Sequence, residues 1–240
     1  MPSTPDAAQL WPGVAENLER AKRYAHVAML TGRAAQDGGR IVNIEGLTYI
    51  GTHGLEWSSG LPTAQTVQLL PEAQSYTEPG KHLFDLLEQH LHELPGVILQ
   101  RKGVGGSVHY RLSPNLEQTR VHLFQLLEEP ARHLHMRLGE GRGIIEILAP
   151  LTVNKGTALR KYVQRFELQG VIFAGDDRTD LDAILEVKQL RQEGLAALSI
   201  VVQHADTLPA LLEHGDMIVN DVEGMAEQLH TIVVLLEQQA

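Results

Sequence analysis

The chain has 240 residues, contains no cysteine and carries 30 acidic against 20 basic side chains, a formal net charge of -10. This balance argues against nucleic acid or an anionic membrane as the main partner. The lack of cysteine excludes a disulfide framework, a thiol nucleophile and a Cys-ligated zinc. No apolar run approaches the roughly 18 residues of a membrane span, and the N-terminus has no signal-peptide pattern. These features predict a soluble, cytoplasmic protein of one large domain or two small ones.

The first chemical signal is a turn that follows a short strand. Residues 1–10 have little apolar pattern and predict a loop, and a helix is predicted after them. The strand predicted at residues 26–30 ends in Thr31, Gly32 and Arg33, before a helix-compatible segment. A hydroxyl and backbone N–H groups at such a turn can hold a phosphate oxygen, and Arg33 can add charge or anchor the loop. Taken alone, this three-residue pattern is a weak signal.

A second strand is predicted at residues 47–51, and His53 and Gly54 follow its end. His53 either satisfies a buried backbone group or touches a substrate. The pattern leaves both interpretations open.

From about residue 61 the pattern changes to that of a compact α+β unit. Residues 97–102 and 107–112 alternate about a glycine-rich turn, which predicts a β-hairpin. Lys102, His109 and Arg111 lie where opposing strands can present several cationic groups on one face. Solvated residues at a sheet edge fit the spacing equally well. With the predicted flanking helices, this hairpin indicates an antiparallel sheet.

The strongest signal is an acidic turn after a buried strand. Residues 171–174 are apolar or small, Gly175 ends the run, and Asp176, Asp177 and Asp180 follow within five positions. Like charges this close repel unless a cation lies among them, and clustered carboxylates suit Mg²⁺. The alternative is an acidic loop that caps the next helix, where the helix dipole favours an acid. We favour a magnesium site that handles phosphate.

A lysine at a helix start supports the phosphate hypothesis. A predicted strand at residues 144–148 contains Glu146 within an apolar run, and Asn154 and Lys155 then open an amphipathic helix. Because a lysine at a helix N-terminus opposes the dipole, Lys155 is unfavourable there unless an anion lies nearby. The remaining chain alternates strand and helix, which is typical of a doubly wound parallel sheet.

Taken together, these segments resemble a known family. In chain order, the matching stretches are Thr31-Gly32-Arg33, His53-Gly54-Leu55-Glu56, His109-Tyr110-Arg111, Asn154-Lys155-Gly156 and Gly175-Asp176-Asp177-Arg178-Thr179-Asp180. The set resembles the trehalose-6-phosphate phosphatases of the haloacid dehalogenase superfamily, over about residues 10–238. The resemblance implies an α/β fold with a Rossmann-like parallel sheet core, formed by residues 1–60 and 143–240. Residues 61–142 are then an inserted α+β cap.

The same resemblance implies roles for individual residues. In the family, the motif threonine and neighbouring amides hold phosphate, the motif lysine neutralises it, and the aspartates carry Mg²⁺. These roles fall on Thr31 and Lys155 as catalytic residues and on the three aspartates as metal ligands. The implied substrate is a small sugar phosphate, trehalose 6-phosphate. The remaining substrate-binding candidates are Gly32, Arg33, His53, Gly54, Lys102, His109, Arg111, Glu146 and Asn154.

The N-terminal part of the sequence differs from the family pattern. The family opens with a strand that ends in Asp-x-Asp-Gly-Thr, whose first aspartate attacks phosphorus and whose second serves as general acid and base. No such stretch occurs in the 240 residues. The resemblance therefore predicts a core that lacks its first strand, which in the family lies between the strands equivalent to 27–30 and 171–174. Either these two strands close the gap, or backbone groups stay unpaired at ~1–3 kcal/mol for each buried group.

Three explanations stay open at this stage. In the first, the gene begins further upstream, which predicts an in-frame coding extension that carries the nucleophile motif. In the second, the protein is a non-catalytic relative that binds a sugar phosphate and reports on it. In the third, it is a phosphatase for another phosphorylated sugar.

Overall fold

The computed structural model of the protein describes residues 8–141 and 143–239. Residues 1–7, which belong to the predicted N-terminal loop, lie outside the described residues. Two units are present: unit 1 comprises Met1–Gln68 and Val153–Ala240, and unit 2 comprises Leu69–Thr152. No described helix combines the length and the apolar composition that crossing a lipid bilayer requires.

Helices and strands alternate through both units. The strands are β1 (Ala28–Leu30), β2 (Thr48–Gly51), β3 (Glu56–Ser59), β4 (Gln68–Leu69), β5 (Ile98–Lys102), β6 (Gly105–His109), β7 (Arg137–Gly141), β8 (Ile144–Leu148), β9 (Gly170–Gly175), β10 (Ala196–Gln203) and β11 (Met217–Asn220). The α-helices are α1 (Val14–Ala21), α2 (Ala35–Val42), α3 (Thr77–His90), α4 (Leu116–His133), α5 (Lys155–Arg165), α6 (Asp180–Gln192), α7 (Pro209–His214) and α8 (Asp221–Gln239). The predicted α/β fold class, with parallel strands, is confirmed.

Unit 1 contains two separate sheets. One has the order β1-β2-β3-β4, with β1 parallel to β2, and the other has the order β11-β10-β9, with all strands parallel. Strands β1 and β9 are both edge strands, and the described residues contain no strand that pairs with either on its outer side. Leu30, at the end of β1, nevertheless packs against the core cluster that contains Phe173 and Val201. The two strands therefore do not close into one ladder, and the halves of unit 1 are joined by side-chain packing.

The open edge changes the environment of neighbouring residues on β9. Phe173 is 8% exposed, because it faces the helices that cover one side of the sheet. The adjacent Ile172 points to the opposite side of the strand and is 49% exposed. An interior strand of a parallel sheet is normally buried on both faces. The exposure of Ile172 is consistent with the edge position of β9.

Unit 2 is an antiparallel sheet covered by helices. Its strand order is β5-β6-β8-β7, and the predicted hairpin is confirmed by the pairing of Ile98 with His109 and of Lys102 with Gly105. The core is formed by apolar residues of α3, α4 and the sheet, which include Leu83, Phe84, Leu87, Leu123, Leu127, Val108, Ile145 and Ile147. The sequence analysis placed residues 143–148 in the core domain. In the structure, β8 pairs with β6 and β7 and so belongs to unit 2.

We expect Phe173→Ala to lower the free energy of unfolding of unit 1 by about 3 kcal/mol, because it leaves a cavity in the packed face of β9. Ile172→Ala, one residue away on the open side, should cost less than about 1 kcal/mol. Urea unfolding followed by tryptophan fluorescence measures this difference, because both tryptophans, Trp11 and Trp57, belong to unit 1. Equal losses for the two variants would contradict an open edge at β9.

Candidate functional site

The acidic turn after β9 is organised by its last aspartate. Asp180 is the first residue of α6, and its side chain turns back so that Oδ2 accepts hydrogen bonds from the backbone N–H groups of Asp176 (3.1 Å) and Asp177 (2.9 Å). A Cβ atom on Gly175 would lie 2.4 Å from Cγ of Asp180, so only glycine fits at that position. Asp180 is therefore the internal anchor of the turn.

Lys155 is paired with this anchor. Its Nζ donates to Oδ1 of Asp180 at 2.6 Å, and the side chains of the two residues are 6% and 5% exposed. Lys155 begins α5, whose start is fixed by a capping box in which Asn154 accepts from the N–H of Thr157 at 2.8 Å. The dipole of α5 disfavours a cation at this position. Asp180 is the anion that stabilises it.

The two other aspartates have different electrostatic environments. The pKa of Asp176 is raised by burial and by the neighbouring carboxylates of Asp180 and Asp177. Burial also acts to raise the pKa of Asp177, but Lys155 and the hydrogen bonds from Thr179 outweigh it, so that this pKa is lowered. A cation beside Asp176 would reverse the effect of the neighbouring carboxylates, since an opposite charge favours the ionised form.

The Thr31 turn follows β1 and is closed by hydrogen bonds within unit 1. Oγ1 of Thr31 accepts from the N–H of Arg33 at 3.1 Å, and the carbonyl of Thr31 accepts from the N–H of His53 at 3.0 Å. The carbonyl of Arg33 accepts from the N–H of Thr52 at 2.7 Å. The acceptor role of Oγ1 leaves its proton available as a donor, because a hydroxyl both donates and accepts.

His53 and Gly54 connect this turn with the start of α5. His53 has a φ of 56°, in the left-handed region, and a Cβ atom on Gly32 would lie 2.5 Å from its Cε1. Its ring also contributes to the lowered pKa of Asp177. Gly54, with a φ of 119°, packs against Ala158 on α5. The structure thus brings together all four predicted segments of unit 1.

Glu56 is a residue of this region that the sequence analysis quoted but gave no role. It is 3% exposed, and its carboxylate accepts from the N–H of Ala35 (2.7 Å) and from the hydroxyl of Thr52 (3.0 Å). The amide of Ala35 is therefore engaged inside the protein, as is the amide of Arg33 in the predicted phosphate turn, which donates to Oγ1 of Thr31. The role of Glu56 could have been predicted from its position in a strand of otherwise buried character, because a buried acid needs hydrogen-bond donors.

His204 was missed altogether. It follows β10, its Nδ1 lies 2.8 Å from Oδ1 of Asp221, and its Nε2 lies 3.5 Å from Oδ2 of Asp176. His204 belongs to none of the motifs recognised in the sequence. The signal that could have found it is topological, because the carboxyl ends of neighbouring parallel strands lie at the same edge of a sheet.

Unit 2 carries the second set of predicted residues on one face of its sheet. Lys102 and Glu146 lie 3.4 Å apart, and the hydroxyl of Ser107 donates to the same carboxylate at 2.9 Å. Nε2 of His109 lies 3.2 Å from Oε1 of Gln100. The face is a mixed network of cation, acid, hydroxyl, amide and imidazole, and not the row of cations that the hairpin alone indicated.

Arg111 occupies a different position from the other two predicted cations. Strand β6 ends at His109, and Arg111 is an exposed residue in the turn that follows. The strand register therefore does not place it beside Lys102.

The comparisons with known proteins agree with this arrangement of motifs. The profile of the trehalose-phosphatase family matches residues 1–208. The chain belongs to this family. A curated relative, the trehalose-phosphate phosphatase of Mycobacterium tuberculosis (strain ATCC 25618 / H37Rv), is 31% identical over 215 residues, with 84% of this chain and 50% of that protein covered. The chain thus spans about half the length of the curated relatives it matches.

Solved structures confirm the fold of this trehalose-phosphatase family member. A trehalose-6-phosphate phosphatase related protein has a TM-score of 0.80 at 22% identity, with 100% of this chain and 94% of that chain covered. A haloacid dehalogenase-like hydrolase from Bacteroides thetaiotaomicron has a TM-score of 0.58 at 14% identity, with 91% of each chain covered. The predicted haloacid dehalogenase-like architecture is therefore confirmed.

We expect Asp180→Asn to destabilise unit 1 by about 3–5 kcal/mol, because it leaves the buried amine of Lys155 without a counter-charge. The double variant Asp180→Asn/Lys155→Met should lose less than Asp180→Asn alone, since the uncompensated charge is then absent. Urea unfolding by tryptophan fluorescence measures both values, and Asp182→Asn, two residues further along α6, is the control. Additive losses in the double variant would show that the two side chains are not coupled.

Proposed function

We propose that this trehalose-phosphatase family member binds trehalose 6-phosphate for its hydrolysis to trehalose and phosphate, and that turnover requires the Asp-x-Asp-Gly-Thr nucleophile motif described above. The observation that carries the proposal is the buried Lys155–Asp180 pair, which holds Asp176 and Asp177 at the carboxyl end of a parallel strand. In open α/β sheets, ligands bind outside the carboxyl ends of the strands. Family membership supports the reaction class and the sugar phosphate.

In this proposal the phosphate group binds to unit 1. The hydroxyl of Thr31 donates a hydrogen bond to a phosphate oxygen, and Lys155 balances part of the negative charge. Gly32, Arg33, His53, Gly54 and Asn154 form the surrounding backbone and side-chain framework. A phosphate group bound beside Lys155 contacts this lysine together with Asp180. Because the pair with Asp180 is already present, Lys155 has a buried anionic partner with or without substrate.

The donor set fits a magnesium ion of the kind that shares its shell with phosphate. Within residues 8–141 and 143–239, no group of three or more His, Asp or Glu side chains is arranged to hold a metal ion. Mg²⁺ usually takes one or two carboxylates and completes its shell with waters and substrate oxygens. Asp176 and Asp177 supply these two carboxylates, whereas both oxygens of Asp180 bind Lys155 and the backbone. When bound, the ion would neutralise charge on the phosphate.

The sugar contacts in this proposal come from the sheet of unit 2. Lys102 and His109 donate to sugar hydroxyls, Glu146 accepts from them, and Arg111 contributes from the turn after β6. Mixed donors and acceptors suit polyhydroxyl groups, each of which both donates and accepts hydrogen bonds. A cytoplasmic location belongs to the same proposal and rests on the cysteine-free sequence.

A second candidate is a sugar-phosphate-binding protein that performs no hydrolysis. Its support is that the 240 residues contain no Asp-x-Asp-Gly-Thr stretch, the segment that supplies the nucleophile and the general acid in the resemblance described above. A phosphatase for another phosphorylated sugar differs only in the unit 2 contacts. Binding and turnover measurements separate these candidates.

We expect the purified 240-residue chain to bind trehalose 6-phosphate with Mg²⁺ present but to release phosphate at a rate close to background, because it carries no nucleophile motif. Calorimetric titration measures binding, and a phosphate-release assay measures turnover. Thr31→Val should weaken binding by about tenfold, since it removes one hydrogen bond to a charged group, worth roughly 1.5 kcal/mol. Turnover of about 1 per second or faster would show that another residue supplies the nucleophile.

We expect Lys102→Met and Glu146→Gln to weaken binding of trehalose 6-phosphate by about tenfold while leaving the affinity for inorganic phosphate unchanged, because the two residues contact only the sugar. Lys81→Met, which removes an exposed lysine of the same unit, is the matched control. Equal weakening for both ligands would contradict a sugar role for this face. Tighter binding of glucose 6-phosphate than of trehalose 6-phosphate would favour a phosphatase for another phosphorylated sugar.

A further inference from the structure

Three polar residues form a row across the strands of the unit 2 sheet. Gln100 on β5 pairs with Ser107 on β6, and Ser107 pairs with Glu146 on β8. Because side chains alternate along a strand, these residues point away from the apolar core, to which the neighbouring Val108 and Ile145 belong. Ser107 and Glu146 therefore lie directly opposite each other on the polar face of the sheet.

The hydroxyl of Ser107 holds the carboxylate of Glu146. Its Oγ lies 3.0 Å from Oε1 and 2.9 Å from Oε2 of Glu146. Ser107 is only 2% exposed, whereas the side chain of Glu146 is 28% exposed. A hydrogen bond from a hydroxyl to an ionised acceptor is stronger than one between neutral groups. The contact therefore orients an acid whose outer part remains accessible.

Glu146 keeps the capacity to accept further hydrogen bonds. An ionised carboxylate has about four lone-pair sites, and a serine hydroxyl supplies a single proton. Nζ of Lys102 lies 3.4 Å from Oε2 of Glu146, which is longer than the roughly 2.7–2.9 Å of a close charge-assisted hydrogen bond. Lone pairs of Glu146 thus remain for the hydroxyl groups of a sugar, with the amine of Lys102 beside them as a donor.

A second buried serine of unit 2 provides a contrast. Ser113 is 8% exposed, and its hydroxyl has no hydrogen-bond partner within the part of the chain that the structure describes. The hydroxyl of Ser107, by comparison, is directed at one carboxylate. Ser113 is therefore a matched control for the loss of a buried serine hydroxyl that orients no other side chain.

We infer that Ser107 is a positioning residue of the sugar site, whose hydroxyl holds the carboxylate of Glu146 in the orientation that accepts hydrogen bonds from the sugar of trehalose 6-phosphate. The inference rests on the proposed sugar role of Glu146 and deepens it. Ser107 acts through Glu146 and not by contact with the ligand. Without the hydroxyl, the carboxylate rotates more freely, and ligand binding must then restrict this rotation at a loss of affinity.

Calorimetric titrations of the 240-residue chain with trehalose 6-phosphate and with inorganic phosphate, both with Mg²⁺ present, test the inference. We expect Ser107→Ala to weaken the binding of trehalose 6-phosphate by about fivefold and that of inorganic phosphate by less than about twofold, because the hydroxyl acts only on the sugar contact. Ser107→Thr keeps the hydroxyl and should restore most of the lost affinity. Ser113→Ala should bind both ligands as the native chain does.

A double-mutant cycle separates positioning from other roles of Ser107. In the Glu146→Ala background, Ser107→Ala should weaken the binding of trehalose 6-phosphate by less than about twofold, since no carboxylate remains to be held. A serine that touched the sugar directly, or whose loss distorted the sheet, would cause the same loss in both backgrounds. Thermal unfolding followed by circular dichroism checks that every variant is folded at the temperature of the titrations.

The outcomes that overturn the inference differ from those that overturn the proposed function. If Glu146→Ala weakens the binding of trehalose 6-phosphate but Ser107→Ala does not, or if the two losses are additive, the inference is wrong and the proposed function stands. If Glu146→Ala leaves this binding unchanged, the sugar role of Glu146 and the inference are both wrong. If the native chain binds inorganic phosphate but not trehalose 6-phosphate, the proposed function is wrong, and the inference with it.

Discussion

The buried pair of Lys155 and Asp180 is the interaction on which the candidate site depends. It joins the first residues of α5 and α6, and the same carboxylate holds the two backbone amides of the acidic turn. Buried ion pairs add little net stability, because desolvation offsets most of their attraction, but the loss of one partner is costly. The pair therefore specifies the geometry of the turn more than it stabilises the fold.

This geometry separates the three aspartates into different roles. Asp180 is an internal hydrogen-bond acceptor. The pKa of Asp177 is lowered by Lys155 and the Thr179 hydrogen bonds, whereas the pKa of Asp176 is raised by burial and by the neighbouring carboxylates. Three acids in five positions thus do not amount to three equivalent metal ligands. Asp180 does not cap the helix as the sequence alternative proposed, because its carboxylate accepts from the amides of the preceding turn. The metal hypothesis concerns the other two aspartates.

The divided sheet of unit 1 is a second constraint. Strands β1 and β9 remain edge strands, and Leu30 packs into the core beside Phe173, while the part of the chain that the structure describes has no ladder between the two sheets. Unpaired strand edges are tolerated where water or side chains reach them, and the exposure of Ile172 shows such access along β9. Apolar packing on the covered face and side-chain contacts such as the ion pair of Arg20 with Glu237 join the two halves of the unit.

The sequence by itself determined the α/β class, the hairpin of unit 2 and the segments of the candidate site, because strand periodicity, glycine turns and clustered charges are local signals. It also predicted that Lys155 needs an anion, since the helix dipole acts within one turn. Only the tertiary structure identified Asp180 as that anion, Glu56 as the acceptor for the distant amide of Ala35 and His204 as the neighbour of Asp176. These contacts join residues from different strands and helices, and no local pattern encodes which strand ends become neighbours. The pairing of β8 within unit 2 was decided in the same way, by long-range register.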